Sequence, residues 1–335
     1  MGTKLSIANF DNYIKELKKD YKIYAPVVMK GKGTFSDTDT VRYAEINSIK
    51  EVEFNKKANF SAKEVLLPIT ETLFYFTEDD YIEPKQEEKG ALIFLRSCDI
   101  HGVKRIDEIY LRNGAEDPYY RAAREKVKFV LMGCKSSFEN CFCVSMGSNT
   151  TGQYDLYVKL QGEEVLMDIK DNELSSSSIG EETEVTPDFV YENEVKVNIP
   201  ESLDQRVMKS EMWKEYSARC IGCGKCNFVC PTCTCFTMQD IFYKDNPKNG
   251  ERRRVWASCQ VDGFTDMAGG HGFRQAKGER MRFKVMHKVY DYKKRFGYHM
   301  CVGCGRCDDA CPEYISFSNC VNKLNNAMKE VEINE

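Results

Sequence analysis

The sequence predicts an α+β protein with two domains: a mixed α/β domain at residues 1–200, followed by a mostly α-helical domain at residues 201–335. Two observations carry this prediction. Apolar strand-like segments alternate with helical segments before residue 200, whereas apolar residues recur at helical spacing around two cysteine runs after it. At 335 residues the chain is long enough for two domains with sizeable cores.

The first domain begins with a predicted helix at residues 6–18, which places apolar side chains on one side. Further along, two strand-like segments flank a polar turn and predict a β-hairpin at residues 154–169. Residues 173–180 include four consecutive serines and are predicted to form a loop. We place the domain boundary near Pro200, before the helical sequence that leads into the first cysteine run.

A βαβ pattern lies in the middle of the first domain. A short apolar strand at residues 91–95 is followed by helical sequence and then by a second apolar strand at residues 127–132. Parallel strands joined by a right-handed crossover end at the same edge of a sheet. We therefore expect Cys98 and Cys134, which follow the two strands, to emerge side by side.

Two cysteine runs dominate the second domain, and each ends in Cys-Pro. The runs are Cys220-x2-Cys223-x2-Cys226-x3-Cys230-Pro231 and Cys301-x2-Cys304-x2-Cys307-x3-Cys311-Pro312. Three cysteines at steps of three wrap a loop around a 4Fe–4S cluster, and glycines between them let the backbone approach closely. Structural zinc sites instead use paired Cys-x2-Cys knuckles. The repeated run of four therefore predicts two 4Fe–4S clusters.

The spacing also predicts which cysteines bind each cluster, because the fourth cysteine of a run commonly binds the other cluster of a two-cluster module. The first cluster is expected to take Cys220, Cys223, Cys226 and Cys311, and the second is expected to take Cys301, Cys304, Cys307 and Cys230. Lys225 and Arg306 lie inside the two loops. They are candidates for tuning the reduction potentials of the clusters, and the alternative is that they face solvent.

Seventy residues separate Cys230 from Cys301, which is more than in a compact bacterial ferredoxin. Residues 201–219 and 280–296 place apolar side chains at helical spacing. This domain therefore resembles the mostly helical dicluster ferredoxins found inside multi-subunit oxidoreductases.

A third cluster is predicted near the end of the βαβ pattern. Cys141-Phe142-Cys143 follows Cys134 by a few residues and offers two more thiols. Cys98, Cys134, Cys141 and Cys143 would together supply the four ligands of a 4Fe–4S cluster. The alternatives are that these cysteines are buried small hydrophobic residues, or that they bind zinc.

Four cysteines remain outside these sets: Cys233, Cys235, Cys259 and Cys320. Their number would suffice for one more cluster, but Cys233 and Cys235 directly follow the first run and are expected to pack beside it. The four histidines are isolated from one another, and none has a carboxylate, serine or cysteine at a spacing that indicates a catalytic pair, so we expect no catalytic residue. The glycine-rich residues 269–272 follow no strand and lack a G-x-G-x-x-G pattern, which excludes a dinucleotide site there.

The composition predicts a cytoplasmic protein. No apolar run approaches the about 20 residues that a membrane helix needs, and the N-terminus lacks the apolar core of a signal peptide. Sixteen cysteines in such a chain indicate metal binding rather than disulfides, because the cytosol keeps thiols reduced. They also suggest an anaerobic setting, since clusters and thiolates oxidise readily.

The net charge of −4 gives no global indication of nucleic-acid binding. Basic residues nevertheless concentrate at residues 252–254 and 274–295. We expect either solvated helix faces or a docking surface near the clusters, where cations would also raise the reduction potential. Aromatic residues do not alternate with these basic residues in a base-stacking pattern, which argues against a nucleic-acid partner.

Long and unusual strings across the chain resemble the iron–sulfur (A) subunits of three-subunit anaerobic sulfite reductases. The strings are residues 35–39, 69–76, 98–100, 138–147, 230–235, 250–254, 256–259, 268–274 and 301–309. The beta subunits of cytosolic nickel–iron hydrogenases and sulfhydrogenases share the cysteine skeleton and the Cys-Phe-Cys element, but resemble the segments between them less closely.

The resemblance implies an electron-transfer subunit, itself non-catalytic, of an NAD(P)H-dependent sulfite reductase. Electrons would pass through 4Fe–4S clusters from an NAD(P)H-oxidising flavin subunit to a sirohaem subunit that reduces sulfite to sulfide. The alternative is the iron–sulfur beta subunit of a cytosolic nickel–iron hydrogenase or sulfhydrogenase. A zinc-stabilised scaffold or nucleic-acid module is a third hypothesis, of a different class.

Overall fold

The computed structural model describes residues 2–35, 37–85, 87–175 and 180–333. Within these residues the chain divides into two compact units. Unit 1 comprises Met1–Leu66, Glu87–Glu139 and Gly147–Asn193, and unit 2 comprises Leu67–Gln86, Asn140–Met146 and Glu194–Glu335. The α+β prediction is confirmed.

The strands of the described residues are, in chain order, β1 (Gly2–Ser6), β2 (Tyr21–Met29), β3 (Thr40–Glu45), β4 (Thr70–Phe76), β5 (Tyr81–Ile82), β6 (Gly90–Leu95), β7 (Val127–Met132), β8 (Leu156–Gln161), β9 (Glu164–Ile169), β10 (Glu181–Thr183), β11 (Phe236–Phe242) and β12 (Gly250–Trp256).

The α-helices are α1 (Ile7–Leu17), α2 (Lys63–Leu66), α3 (Ser97–Leu111), α4 (Pro118–Arg124), α5 (Asn172–Ser175), α6 (Met212–Arg219), α7 (Lys225–Phe228), α8 (Lys277–Met286), α9 (Tyr292–Phe296), α10 (Arg306–Ala310), α11 (Phe317–Asn322) and α12 (Leu324–Ile333). Two 3-10 turns, Ile49–Glu51 and Gln205–Lys209, and one π turn, His287–Asp291, complete the helical elements.

Unit 1 is built on an eight-stranded sheet with the order β10-β1-β9-β8-β7-β6-β2-β3. The central strands β2, β6, β7 and β8 are parallel neighbours, and the outer pairs are antiparallel. Alternate residues of these strands pack with α1 into one apolar core, which includes Phe10, Ile14, Leu92 and Val130. The strands β6 and β7 are buried over nearly their whole length, as expected for parallel strands covered on both faces.

Several predicted elements of unit 1 are confirmed. The helix predicted at residues 6–18 is α1, and its first turn is capped by the Ser6 hydroxyl, which accepts the Asn9 N–H at 3.2 Å. The predicted hairpin is the antiparallel pair β8–β9. The predicted βαβ pattern is β6, α3, α4 and β7, with the two strands parallel. In the predicted serine loop, residues 172–175 form a short helix, and residues 176–179 lie outside the described residues.

Unit 2 combines helices with a four-stranded antiparallel sheet of order β11-β12-β4-β5. The helices share one apolar core, formed by residues of α6, α8, α11 and α12 with Leu203 and Phe142. The helix predicted at 280–296 is confirmed and runs from Lys277 through the π turn to Phe296. The segment predicted at 201–219 is helical only from Gln205, in two pieces separated at Ser210.

The hairpin β11–β12 was not expected in a mostly helical domain. All seven residues of β11 are exposed, so the strand lacks the alternation of buried and exposed side chains that marks a strand in a sequence. Its partner β12 pairs in turn with β4, which is distant in the sequence. The units therefore differ from the division proposed at residue 200, because residues 67–86, 140–146 and 194–200 fall in unit 2.

Gly278 allows close packing of α8 against α6. A Cβ at this position would overlap the carbonyl oxygen of Trp213, and the Gly278 N–H donates to Ser217 Oγ at 3.0 Å. Close backbone approach of this kind is a reason for glycine in a helix, where it is otherwise less favourable than alanine.

We predict that Gly278→Ala destabilises unit 2 by about 1–3 kcal/mol, because the added methyl group must push the two helices apart. Without this overlap, Gly→Ala near a helix start would stabilise the protein slightly. The midpoint of anaerobic thermal unfolding measures the effect. Gly152→Ala is the matched control, since its Cβ would meet no atom of the described residues within 4 Å. An unchanged or higher midpoint for Gly278→Ala would contradict the packing argument.

Candidate metal centre

The two cysteine runs fold into matching loops. Gly222 and Gly224 in the first run have φ values of 72° and 75°, and Gly303 and Gly305 in the second have 64° and 70°. Side chains rarely adopt this left-handed conformation, so glycine is required where the chain bends around the cysteines. Each loop continues into a short helix, α7 in the first run and α10 in the second.

Backbone amides in these loops donate to cysteine sulfurs. Gly222 N–H lies 3.4 Å from Cys220 Sγ, and Gly303 N–H lies at the same distance from Cys301 Sγ. Ile315 N–H makes a third such bond, to Cys311 Sγ at 3.4 Å. These donors stabilise thiolate charge and would also raise the reduction potential of a bound cluster.

One cavity lies where the first ligand set was predicted. Its walls include all four cysteines of that set, Cys220, Cys223, Cys226 and Cys311, together with Cys307, Gln260 and Lys284. Most of the remaining lining is apolar. Among the described residues, no group of three or more His, Cys, Asp or Glu side chains is arranged to hold a metal ion. The predicted set itself consists of four cysteines, three of them at steps of three within one run. This donor set and spacing fit a multi-iron cluster better than a single zinc ion.

The four cysteines of the second set also lie near one another. Burial raises the pKa of Cys301 to about 12, and the neighbouring Cys230 and Cys304 thiolates add to the increase. Burial likewise raises the pKa of Cys307, where Asp308 and then Cys230 and Cys301 contribute. Without metal, the site therefore favours neutral thiols. Because metal ligation requires thiolates, loading the site must release protons.

Two lysines are buried among these cysteines, with 4% of Lys284 and 3% of Lys288 exposed. Burial alone would lower the pKa of Lys284, but the Cys226, Cys307 and Cys233 thiolates outweigh burial and raise it. Burial is likewise outweighed at Lys288, whose pKa is raised by Cys230, Cys233 and Cys301. Neither lysine was predicted from the sequence as a site residue. Their spacing of four within a predicted helix was the available signal, because residues four apart lie on the same face of a helix.

The two residues nominated for tuning differ in environment. Lys225 is exposed, whereas Arg306 is among the largest fully buried side chains. A position inside a cluster loop therefore does not by itself place a cation in a buried site.

The remaining cysteines pack in different places. Cys233 forms a hydrogen bond with Cys230, next to the runs as expected. Cys235 forms a hydrogen bond with Cys259, and this bond lowers the pKa of Cys259 to about 5. Hydrogen bonds from Gln260 and Asn227 lower this pKa further, whereas burial opposes the decrease. Cys320 instead lies in the helical core, where its thiol is beside Tyr216.

The Cys-Phe-Cys segment lies in unit 2 and packs on the second run. Phe142 N–H donates to Gly303 O at 2.7 Å, and the Cys141 thiol lies 3.4 Å from Cys304 O. A Cβ on Gly303 would lie 2.5 Å from Phe142 O, so this contact also depends on glycine.

The other two cysteines predicted for a third cluster lie in unit 1. Cys98 is the second residue of α3 and follows β6, and Cys134 follows the parallel strand β7. Arg96, which is 5% exposed, lies between these elements. Its Nη1 is 3.4 Å from Cys134 Sγ and 2.9 Å from Gly133 O. The four-cysteine set with Cys141 and Cys143 stays a prediction.

Comparison with known proteins agrees with the geometry of the runs. Residues 219–315 match the family model of the 4Fe-4S dicluster domain, so this chain carries two 4Fe–4S clusters. Over 333 residues, the chain is 28% identical to "Sulfhydrogenase 2 subunit beta" of Pyrococcus furiosus, covering 93% of this chain and 95% of that protein. No solved structure matches the chain significantly.

In the described part of the chain, no helix is long and apolar enough to cross a membrane.

We predict that the fourth cysteines are exchanged between the runs. Cys311→Ser and Cys226→Ser should each cost about four irons per chain and leave the same residual cluster. Cys230→Ser and Cys301→Ser should leave the other cluster. Iron and acid-labile sulfide counts with electron paramagnetic resonance (EPR) spectra of the reduced variants measure this.

Cys320→Ser is the control, because Cys320 lies in the core and belongs to neither predicted set. If the residual cluster in Cys311→Ser has the spectrum seen in Cys301→Ser, each run binds its own cluster and the exchange is wrong.

Proposed function

We propose that this chain is the iron–sulfur electron-transfer subunit of a multi-subunit, cytoplasmic oxidoreductase. The observation that carries the proposal is the cavity whose lining brings Cys220, Cys223 and Cys226 of the first run together with Cys311, and also Cys307, of the second run. The dicluster match over residues 219–315 supports the same cofactors. The clusters supply one-electron transfer, and the protein supplies thiolates, amide donors, buried cations and exclusion of water.

The proposed ligand sets are those predicted from the spacing. The first cluster is held by Cys220, Cys223, Cys226 and Cys311, and the second by Cys301, Cys304, Cys307 and Cys230. In the second set, Thr232 and Lys288 surround the Cys230 sulfur, with Thr232 Oγ1 and Lys288 Nζ each 3.4 Å away. These side chains hold the cysteine that must reach across from the first run.

The similarity to a sulfhydrogenase beta subunit favours a hydrogenase or sulfhydrogenase complex as the setting of this subunit. The similarity extends over nearly the whole length of both chains, and so includes the α/β unit as well as the dicluster region. Its partners would be an NAD(P)H-oxidising flavin subunit and a nickel–iron subunit.

Anaerobic sulfite reductase is the second candidate, with a sirohaem subunit in place of the nickel–iron subunit. The observation that favours it is the set of strings outside the cysteine runs, such as residues 250–254 and 268–274, which resemble the A subunits of those enzymes. The genes beside this one distinguish the two settings, because they encode either a nickel–iron or a sirohaem protein.

We predict that the isolated, cluster-loaded chain accepts electrons from dithionite but neither oxidises hydrogen nor reduces sulfite. Once the two cysteine runs are assigned to electron-transfer clusters, the sequence offers no separate cysteine pattern for a sirohaem. It also offers no glycine-rich dinucleotide loop on a strand–helix turn, so the chain should not oxidise NAD(P)H either. Bleaching of the visible absorbance measures reduction, and sulfide or hydrogen assays measure turnover.

Activity should appear only when the partner subunits are added. Hydrogen-dependent NAD(P)⁺ reduction by the reconstituted complex would establish the first candidate, and NAD(P)H-dependent sulfide formation the second. Turnover by the chain without partners would contradict the electron-transfer role and make the chain an enzyme.

We further propose the third cluster at Cys98, Cys134, Cys141 and Cys143. Support comes from the parallel strands β6 and β7, whose shared edge carries Cys98 and Cys134, and from the Cys-x-Cys pair that follows. Cys98→Ser or Cys134→Ser should remove about four irons per chain while the two dicluster signals persist.

The matched control for the third cluster is Cys235→Ser, which removes a thiol that no predicted set uses. If Cys98→Ser and Cys134→Ser both retain the iron content of the unmodified chain, these cysteines are buried hydrophobic residues and not ligands.

A further inference from the structure

The helix from Lys277 to Asp291 carries three cations on its buried side. Arg280, Lys284 and Lys288 are spaced by four residues and are 6%, 4% and 3% exposed. Lysine and arginine are almost never fully buried unless they are paired. Arg280 is accounted for, since it pairs with Asp262 and donates to backbone carbonyls of Arg274 and Gln275. The two lysines have a different environment.

Lys288 faces the second ligand set. Its Nζ donates to Thr232 Oγ1 at 2.7 Å and lies 3.4 Å from Cys230 Sγ. The other sulfurs beside it are those of Cys233 and Cys301. A buried ammonium group is stable only beside negative charge, and with a cluster bound the ligand thiolates would supply that charge.

The π turn fixes Lys288 relative to the second run. Its widened backbone leaves carbonyls available, and the Lys288 carbonyl accepts the N–H of Met300 at 2.9 Å. His299 Nδ1 lies 2.9 Å from the neighbouring Val289 carbonyl. Residues 299 and 300 lead directly into Cys301, so backbone contacts tie the lysine to the loop that it faces. Single π turns of this kind are frequent at functional sites.

Lys284 is shared between the two sets. It lines the cavity of the first set and hydrogen-bonds to Cys226, while Cys307 of the second set is the next thiolate that acts on it. Its Nζ also lies 5.3 Å from the centre of the Phe317 ring, over its face. The ammonium group is therefore enclosed by one cysteine of each run and an aromatic ring.

We propose that Lys284 and Lys288 set the reduction potentials of the two clusters, with Lys288 acting on the second cluster and Lys284 acting on both. Reduction adds one negative charge to a cluster, and a buried cation beside its ligands favours the reduced form. The inference rests on the ligand sets of the proposed function. The lysines are positioning residues, since they act through the cysteines and the surrounding field.

The test is an EPR-monitored redox titration of the anaerobically reconstituted chain and of four variants. Lys288→Met should shift one of the two dicluster transitions to lower potential. At a fixed potential we expect the ratio of reduced to oxidised cluster to fall about tenfold, which corresponds to a shift of 59 mV for one electron. Lys284→Met should shift both transitions in the same direction. Lys293→Met removes the same charge from an exposed position in α9, outside the cluster loops, and should shift neither, because water screens it.

Iron and acid-labile sulfide counts accompany each titration. If a methionine variant loses iron, glutamine at the same position is the second neutral variant; at residue 288 it keeps a donor for Thr232 without the charge. Lys288→Arg keeps the charge and should keep the potential. Fully loaded Lys284 and Lys288 variants with unshifted transitions would overturn the proposal. A wild-type chain that takes up no iron would instead contradict the ligand sets, which is a separate result.

Discussion

The concentration of buried sulfur is the constraint on which unit 2 depends. Eight cysteines must approach each other closely, and in that setting burial raises the pKa of thiols such as Cys301 and Cys307. Negative charge in so small a volume is tolerable only if metal ions, amide donors and cations offset it. The helices serve this purpose: α8 lies against α6 at Gly278 and carries Lys284 into the sulfur-rich interior, and the π turn that continues α8 carries Lys288 there.

Features with a local signature could be predicted from the sequence. Helix α1, the β8–β9 hairpin and the β6–β7 crossover follow from short-range periodicity and turn residues, and the cysteine loops follow from glycines that must adopt positive φ. The sheet of unit 2 could not be predicted in this way. Strand β11 is exposed along its whole length, and β4 joins β12 across a long stretch of chain, so neither leaves a local pattern of burial.

The buried cations beside the cluster cysteines could not be predicted from local sequence patterns either. Lys225 and Arg306 were chosen because they sit between cluster cysteines in the sequence, yet Lys225 is exposed. Lys284 and Lys288 lie in a helix whose apolar residues predicted its existence, and its basic residues suggested a solvated face or a docking surface. Which cation is desolvated depends on how α8 packs against the loops, and this is decided by contacts between residues far apart in sequence.

In both candidate complexes this chain would have the same role, which is electron transfer. In either proposed complex, single electrons would pass between a flavin partner and a partner that holds the reacting metal, so the terminal reaction would belong to another subunit. A shared cysteine skeleton is then expected in both, and similarity along the whole chain reflects the shared scaffold. The two settings can still differ in the energy at which electrons are delivered. A scaffold can change that energy without moving a ligand, by adding or removing a buried charge beside the thiolates.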